Sequence, residues 1–316
     1  MALFTPQDPQ GIATLTAHIH NTFILEALQA NMAHANWAFL HEGLPRAHQT
    51  GANVSVPIEG ALPVTDAVLA PDADGTPLAS SDSAALIPCP GYGHYLLLTD
   101  DCIVQKDMNT MDAKARALAI HAQRKQDLIA GTAAVAGSNV VFKNGRADED
   151  ALVVGDVIDA SDFVAARAFL DGGEAPTFQD GLYRAILSPY QIADLFNDGA
   201  VAKGFLQQTA AVDPGAFITA LVGSWHGFNI YRASQLTTVT LGADEGAADL
   251  IRAVFCGAEY LDFAQREPIK FFGPELAGDV MKQQWVLGYK GRFGYGRVKE
   301  ANGMRREYRS AFSPNP

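Results

Sequence analysis

The side chains able to do chemistry are scattered along this chain, and none of them completes a pattern. Ser224 and His226 sit close together in Gly223-Ser224-Trp225-His226-Gly227, but a nucleophile elbow needs a serine centred between glycines at a spacing of two. Asp148-Glu149-Asp150 and Asp244-Glu245 fall in polar stretches that read as solvated turns. A general acid or base needs burial or a charged partner to tune it, and no partner is visible in the sequence. Neither cluster has the ligand alternation and glycine of an EF-hand. His34, His41 and His48 recur every seven residues, yet His48 lies beyond the helix stop at Gly43 and Pro45, so a surface or interface role is the better reading. His18 and His20 alone leave a zinc site short of ligands. Cys89, Cys102 and Cys256 are too few and too scattered for a disulfide framework or a CxxC knuckle, and read as reduced, mostly buried thiols. There is no Walker loop, HExxH or GxGxxG, since Gly294 and Gly296 lack a third glycine and sit in a strand. We therefore expect no catalytic, cofactor-binding or metal-binding residue, and a protein that is not an enzyme.

One segment imitates nucleic-acid recognition. Lys290-Gly291-Arg292-Phe293-Gly294-Tyr295-Gly296-Arg297 interleaves bases with aromatics as a single-strand stacking platform does. The aromatic order is displaced from the RNA-recognition consensus and no second platform strand accompanies it. Its aromatics read instead as buried under a helix, and Lys290 and Arg292 as subunit contacts or interior charge balance.

The elements that must position these residues belong to a well-packed molecule. The 316 residues are 48% hydrophobic with 35 acids against 23 bases, a formal charge of -12, which excludes disorder and allows one large or two medium domains. Residues 1–265 hold 13 bases and 30 acids (-17), whereas 266–316 hold 10 bases and 5 acids (+5). Such asymmetry suits contact with polyanions, or the basic end of one copy meeting the acidic body of another. No Lys or Arg occurs between Arg46 and Lys106. No apolar run approaches the length of a membrane span, and Met1–Gln10 lacks the basic and apolar regions of a signal peptide. A soluble protein is expected.

Residues 1–14 read as an extended arm broken by Pro6 and Pro9. Leu25, Leu28, Met32, Ala35 and Phe39 keep helical spacing within Leu15–Glu42. Six prolines lie between Gly51 and Pro90, where Val54, Val56 and Ile58 alternate as a half-buried strand that Ala84–Ile87 can pair against. A long hairpin like this is marginal alone and must lie on its own body or on a neighbour. After Gly91-Tyr92-Gly93-His94-Tyr95 a long helix is predicted to about Ala130, with its apolar line through Val104, Met108, Met111, Ala115, Leu118, Ala122 and Ile129, an N-cap at Asp100 or Asp101 and a C-cap at Gly131. Packing on a sheet is favoured over a coiled coil. The remainder alternates: Val140–Lys143 as a strand, Ser161–Leu170 as a helix capped by Ser161, Tyr183–Leu187 as a strand, Pro189–Asn197 as a short helix, and strands over Phe228–Tyr231, Ala253–Phe263 and Trp285–Val298. In the last, Trp285, Leu287, Tyr289, Phe293 and Tyr295 share one face. The class is α+β.

This order of elements resembles the major capsid protein of tailed bacteriophages with the Hong Kong 97 fold, over roughly residues 20–310. Gly91–Tyr95 leading through Leu98-Thr99-Asp100-Asp101 into the long helix is similar to that family's passage from extended loop to spine helix. Tyr183-Arg184-Ala185-Ile186-Leu187-Ser188-Pro189, continuing to Asp194-Leu195-Phe196-Asn197-Asp198, resembles its strand, proline and short helix. His226-Gly227-Phe228-Asn229-Ile230-Tyr231 is similar to the following strand, and Gln284–Val298 to the late strand returning to the peripheral domain.

The resemblance implies an HK97-like fold divided into an N-terminal arm and first helix (1–50), an extended hairpin loop (51–99), the spine helix and start of the peripheral domain (100–150), an axial domain (151–265), and return strands of the peripheral domain with the tail (266–316). It implies self-assembly into hexamers and pentamers of an icosahedral or prolate head enclosing double-stranded DNA without sequence specificity. A portal protein and possible scaffolding and cement or decoration proteins would be the partners, with no membrane and no cofactor. The virion capsid would be its location, after assembly in the host bacterial cytoplasm. Candidate subunit-interface residues are Val54, Val56, Ile58, Leu86, Ile87, Lys290 and Arg292. The founding member crosslinks through a lysine of the extended loop; none stands in that stretch here, so a non-covalent shell is implied. The alternatives are a cargo-enclosing nanocompartment shell and a soluble enzyme.

Overall fold

A computed structural model of the chain describes residues 39–41, 49–50, 53–58, 81–99, 109–153, 155–198, 221–233, 238–240, 249–276 and 284–312. Its framework is a four-stranded sheet in the order β1-β12-β13-β5, formed by β1 (Phe39–His41), β12 (Leu261–Leu276), β13 (Gln284–Arg297) and β5 (Gly91–Thr99). Alternation along β13 explains it: Leu287, Tyr289, Phe293 and Tyr295 are all buried on one face. Against that face lies α1 (Asn109–Val135), 27 residues and about 40 Å long at ~1.5 Å per residue. Leu118 and Ala122 of α1 meet Leu98, Leu287 and Tyr289. Farther along, Ala130, Ala134 and Val135 pack with Tyr260, Phe293 and Tyr295. The helix packs on a sheet, as its small residues suggest.

A second sheet runs β6-β14-β11-β7-β9-β8, from β6 (Val140–Phe142), β14 (Gly303–Tyr308), β11 (Asp249–Cys256), β7 (Tyr183–Leu187), β9 (Phe228–Arg232) and β8 (Leu221–Trp225), with β10 (Thr238–Thr240) also on β11. One face carries the principal core, where α2 (Ala160–Gly172) brings Phe163, Ala166 and Leu170, and α3 (Pro189–Asn197) brings Leu195, onto Phe228, Phe255 and Tyr308. Phe163, Phe228 and Phe255 meet edge to face at 5.4–5.9 Å between centroids, the arrangement favoured by ring quadrupoles. The other face offers Ile186, Val254 and Cys256 to the last turns of α1. Helix α1 thus joins both sheets. A three-stranded ribbon, β2 (Gln49–Thr50), β3 (Asn53–Ile58) and β4 (Ser83–Pro88), completes the described strands.

Several sequence expectations are corrected. Phe39–His41 is a strand parallel to Asp262–Ala264, so the helix expected over Leu15–Glu42 does not reach its end; edge pairing overrides helical spacing where an aromatic suits a strand equally. The rest of that helix, the N-caps at Asp100 or Asp101 and the hairpin tip lie outside the described residues. Helix α1 passes through Gly131 to Val135, because the buried Ala134 and Val135 beyond it offset the ~1 kcal/mol that an interior glycine costs. Asp159, not Ser161, caps α2: its carboxylate accepts from the Ser161 N–H while Asp162 reaches back to the Asp159 N–H, a capping box. The strand expected over Ala253–Phe263 is two strands in different sheets, β11 and β12, separated by a turn in which Glu259 adopts φ 65°.

Candidate assembly surface

The hairpin is seated on the face of the four-stranded sheet turned away from α1. Strands β3 and β4 pair antiparallel, with Val54 opposite Ile87, Ser55 opposite Leu86 and Ile58 opposite Ser83. Residues alternate between the two faces of such a ribbon. Val54, Val56 and Ile87 point inward and are buried with Cys89 and Ala264, with Val298 packed beside them. Leu86 points outward and is 58% exposed.

Two glycines of β13 make the seat. A Cβ at Gly294 would collide with the Pro88 carbonyl oxygen, and one at Gly296 would stand 2.8 Å from Ile87 Cγ1. The even-numbered side of β13 is therefore bare where the ribbon crosses it. Cys89 donates weakly to the Ile87 and Ala264 carbonyls at 3.6 and 3.5 Å, and burial raises its thiol pKa, so it stays protonated.

Beyond the ribbon no described residue covers the same sheet face. Lys290 stands opposite Gly93 on one side and Lys270 on the other, and Arg292 opposite Gly91; both Lys290 and Arg292 are exposed. Arg292 Nε lies 3.7 Å from Glu267 Oε2, a loose surface pair worth little. Next along the face Phe272 lies against Gly288, whose added Cβ would collide with the ring. Tyr95 and Leu97 follow on β5, 59% and 54% exposed. The result is a basic strip continuous with an apolar one.

The predicted interface residues are thus distributed unequally. Val54, Val56 and Ile87 come together beneath the ribbon on this chain's own sheet, so their apolar surface is already covered. Leu86 faces out, Ile58 is half-buried, and Lys290 and Arg292 lie on the open strip. The aromatics interleaved with the two bases point the other way: Phe293 and Tyr295 are buried under α1, where Tyr295 Oη accepts from Gln126 Nε2 at 2.8 Å. That geometry removes the stacking-platform reading. His226 is exposed at the tip of the β8–β9 turn, where it and Gly227 both have positive φ, 47° and 85°, as a two-residue hairpin turn demands. Cys256 is buried and its thiol is pushed up to about 12. Asp148 caps the turn at Ala151, accepting its N–H at 2.9 Å, while Asp244-Glu245 and Cys102 lie outside the described residues.

Sequence reading missed a buried ionic group beside α2. Lys143 Nζ reaches Asp159 and Asp162 at 2.7 and 2.8 Å, and Arg306 Nη1 reaches Asp162 at 3.1 Å. Asp162 is pulled upward by burial, against the lowering charges of Arg306 and Lys143. The only hint in the sequence is Asp159 and Asp162 at capping-box spacing; Lys143 and Arg306 are too remote to infer. Among the described residues no group of three or more His, Cys, Asp or Glu could hold a metal ion, and no helix is long and apolar enough to cross a membrane.

A family model described as phage capsid protein matches residues 92–306. No curated protein matches the chain. Among solved structures, the chain is similar to the capsid of Ralstonia phage GP4, with TM-score 0.70 at 11% identity, covering 89% of this chain and 92% of that one. The acidic stable capsid of Helicobacter pylori bacteriophage KHP30 gives TM-score 0.61 at 9% identity, covering 98% and 95%. The Cyanophage Pam1 capsid asymmetric unit gives 0.61 at 14% identity, covering 87% and 89%. At these identities the likeness is one of fold.

Proposed function

This chain belongs to the phage capsid protein family and is a major capsid shell protein with a Hong Kong 97-like fold, and from that premise we propose how its copies are joined. The open strip of the four-stranded sheet, with Leu86 on the outer side of the ribbon and the half-buried Ile58 at the end of its inner side, is a contact between copies, and Lys290 and Arg292 set its charge. Neither a nanocompartment shell nor a soluble enzyme is favoured by the family match. Copies arranged as hexamers and pentamers close an icosahedral or prolate head around double-stranded DNA held without sequence specificity. A portal protein occupies one vertex, and scaffolding and cement proteins are further partners. The particle forms in the host bacterial cytoplasm and the protein ends in the virion.

The observation that carries this reading is the asymmetry of the hairpin. Its root is fixed to its own sheet by Val54, Val56 and Ile87, whereas Leu86 is exposed on the outer side of the ribbon and Tyr95 and Leu97 are exposed on the sheet face that no described residue covers. Residues 59–82 contain Glu59, Asp66, Asp72, Asp74 and Asp82 and no Lys or Arg, so they complement the bases of the strip on a neighbour. Interfaces of obligate assemblies commonly exceed ~2,000 Å², more than isolated side chains supply, which is why an extended segment suits the task. In the domain partition we propose, 51–99 is the extended loop, of which the segment 59–82 beyond the root reaches across a neighbour, 100–150 and 266–316 form the peripheral part, and 151–265 the axial part. Reversing charge at Lys290 and Arg292 together tests it. Electron microscopy of K290E/R292E should show unassembled subunits where wild type gives closed shells; intact shells from the variant would refute the contact.

A further inference from the structure

Besides the apolar contact of Leu98 with Leu118 and Ala122, strand β5 and helix α1 meet along two polar rungs. Lys125 Nζ stands 5.7 Å from the centre of the Tyr92 ring. One helical turn earlier the His121 ring stacks on His94, with centroids 5.2 Å apart and planes 29° apart. From β13, Tyr289 Oη lies 3.0 Å from His121 Nδ1. On α1 itself the positions three and four residues from His121 are Ala117, Leu118, Arg124 and Lys125. Among the described residues, the titratable or charged groups around His121 are therefore His94 and Tyr92 from β5, Tyr289 from β13, and Arg124 and Lys125 from its own helix. Burial raises the pKa of both phenols, so they carry no charge near neutrality. Every charge these groups carry or acquire near neutrality is positive.

We propose that the His94–His121 stack is a proton-operated catch: while His121 is neutral the stack holds β5 on α1, and protonation of His121 beside Lys125 loosens it. Strand β5 begins two residues after β4 ends, with Cys89 and Pro90 between, so loosening this seam changes how the hairpin is held. Burial, then His94 and Lys125, lowers the His121 pKa. The sign follows. A histidine depressed in the folded chain binds fewer protons there than when released, so the packing it supports is complete above the ordinary imidazole value of about 6.5 and is lost as pH falls through and below it. The device acts within one chain and does not depend on shell closure.

Hydrogen exchange read by mass spectrometry on the full-length chain tests it, at about pH 7.5 and about pH 5.5, either side of the ordinary imidazole pKa, with intrinsic rates corrected. Peptides covering 91–99 and 117–126 of the wild type should exchange roughly two- to fivefold faster at the lower pH, the factor an exposed charge pair is worth. Peptides from β11 and β14 should not change. H94Q/H121Q, and the milder H94Q alone, should remove the pH response of the seam while leaving β11 and β14 protected. Equal protection of the wild-type seam at both pH values would overturn the proposal, and so would an undiminished response in the double variant.

Discussion

At the scale of single residues, Gly294 and Gly296 matter for the side chains they lack. Their backbone is the floor on which Ile87 and Pro88 rest, and tight interiors do not accommodate added methyls cheaply. G294V should destabilise the chain by about 1–3 kcal/mol through overpacking and lift the hairpin root, read as a lower urea midpoint and faster exchange at 53–58 and 83–88. I87A should cost about 2–5 kcal/mol by the opposite route, a cavity. In the ionic group, D162A leaves Lys143 and Arg306 buried without their shared carboxylate and removes half of a capping box, for an expected loss of about 3–5 kcal/mol. Asp194 behaves differently. It is buried, accepts from the Ala311 N–H at 3.3 Å, and burial raises its pKa against the lowering bonds from Ser310 and Ala311. A raised carboxyl contributes stability that is greatest below its unfolded value of about 3.9 and declines as pH rises through the folded value. D194N should therefore flatten this decline and match or exceed wild-type stability at neutral pH; a steeper decline in the variant would contradict the burial argument. Of these residues the sequence marks Ile87, through the strand that pairs with β3, and hints at Asp162 through its capping-box spacing; the glycine seat, the partners of Asp162 and the burial of Asp194 do not declare themselves, because burial and remote pairing are properties of the fold.

Elements were far more legible than residues. Tyr183–Leu187 and Pro189–Asn197 fall where period-two alternation and an N1 proline place them, since both signals are local. The β3–β4 pairing was legible too, because its apolar alternation has no competing period. What misled was tertiary: Phe39 kept helical spacing but pairs with β12, and Gly131 read as a stop but lies within α1. Likewise Ala253–Phe263 read as one strand because both sheets bury apolar runs, and only the turn at Glu259 separates them. The predicted interface residues show the same limit, since a hairpin that cannot stand alone can lie on its own body or on another's. Here the root lies on its own body. Deleting 59–80 and bridging the gap with a short glycine linker should accordingly spare the root, since Val54, Val56 and Ile87 remain. The truncated chain should unfold in urea within about 1 kcal/mol of wild type, as expected for a change away from core contacts.

At the scale of the molecule, charge and exposure together describe a subunit made for a lattice. An acidic body of -17 with a basic final segment of +5 suits head-to-body contact between copies and leaves little reason for a grip on phosphates. Raising salt should therefore weaken association of subunits before it unfolds them, since exposed charges are screened within a Debye length of about 8–10 Å whereas the buried group of Lys143, Asp162 and Arg306 is not. Association followed by light scattering across a salt series, with circular dichroism on the same samples, separates the two.

The central claim is that the projecting part of the hairpin joins copies and is not needed to fold one. Electron microscopy of the expressed wild-type chain beside the 59–80 deletion tests it most directly. Closed shells from the wild type, with only folded, unassembled subunits from the deletion, are the predicted pair of images. Closed shells from both would contradict it.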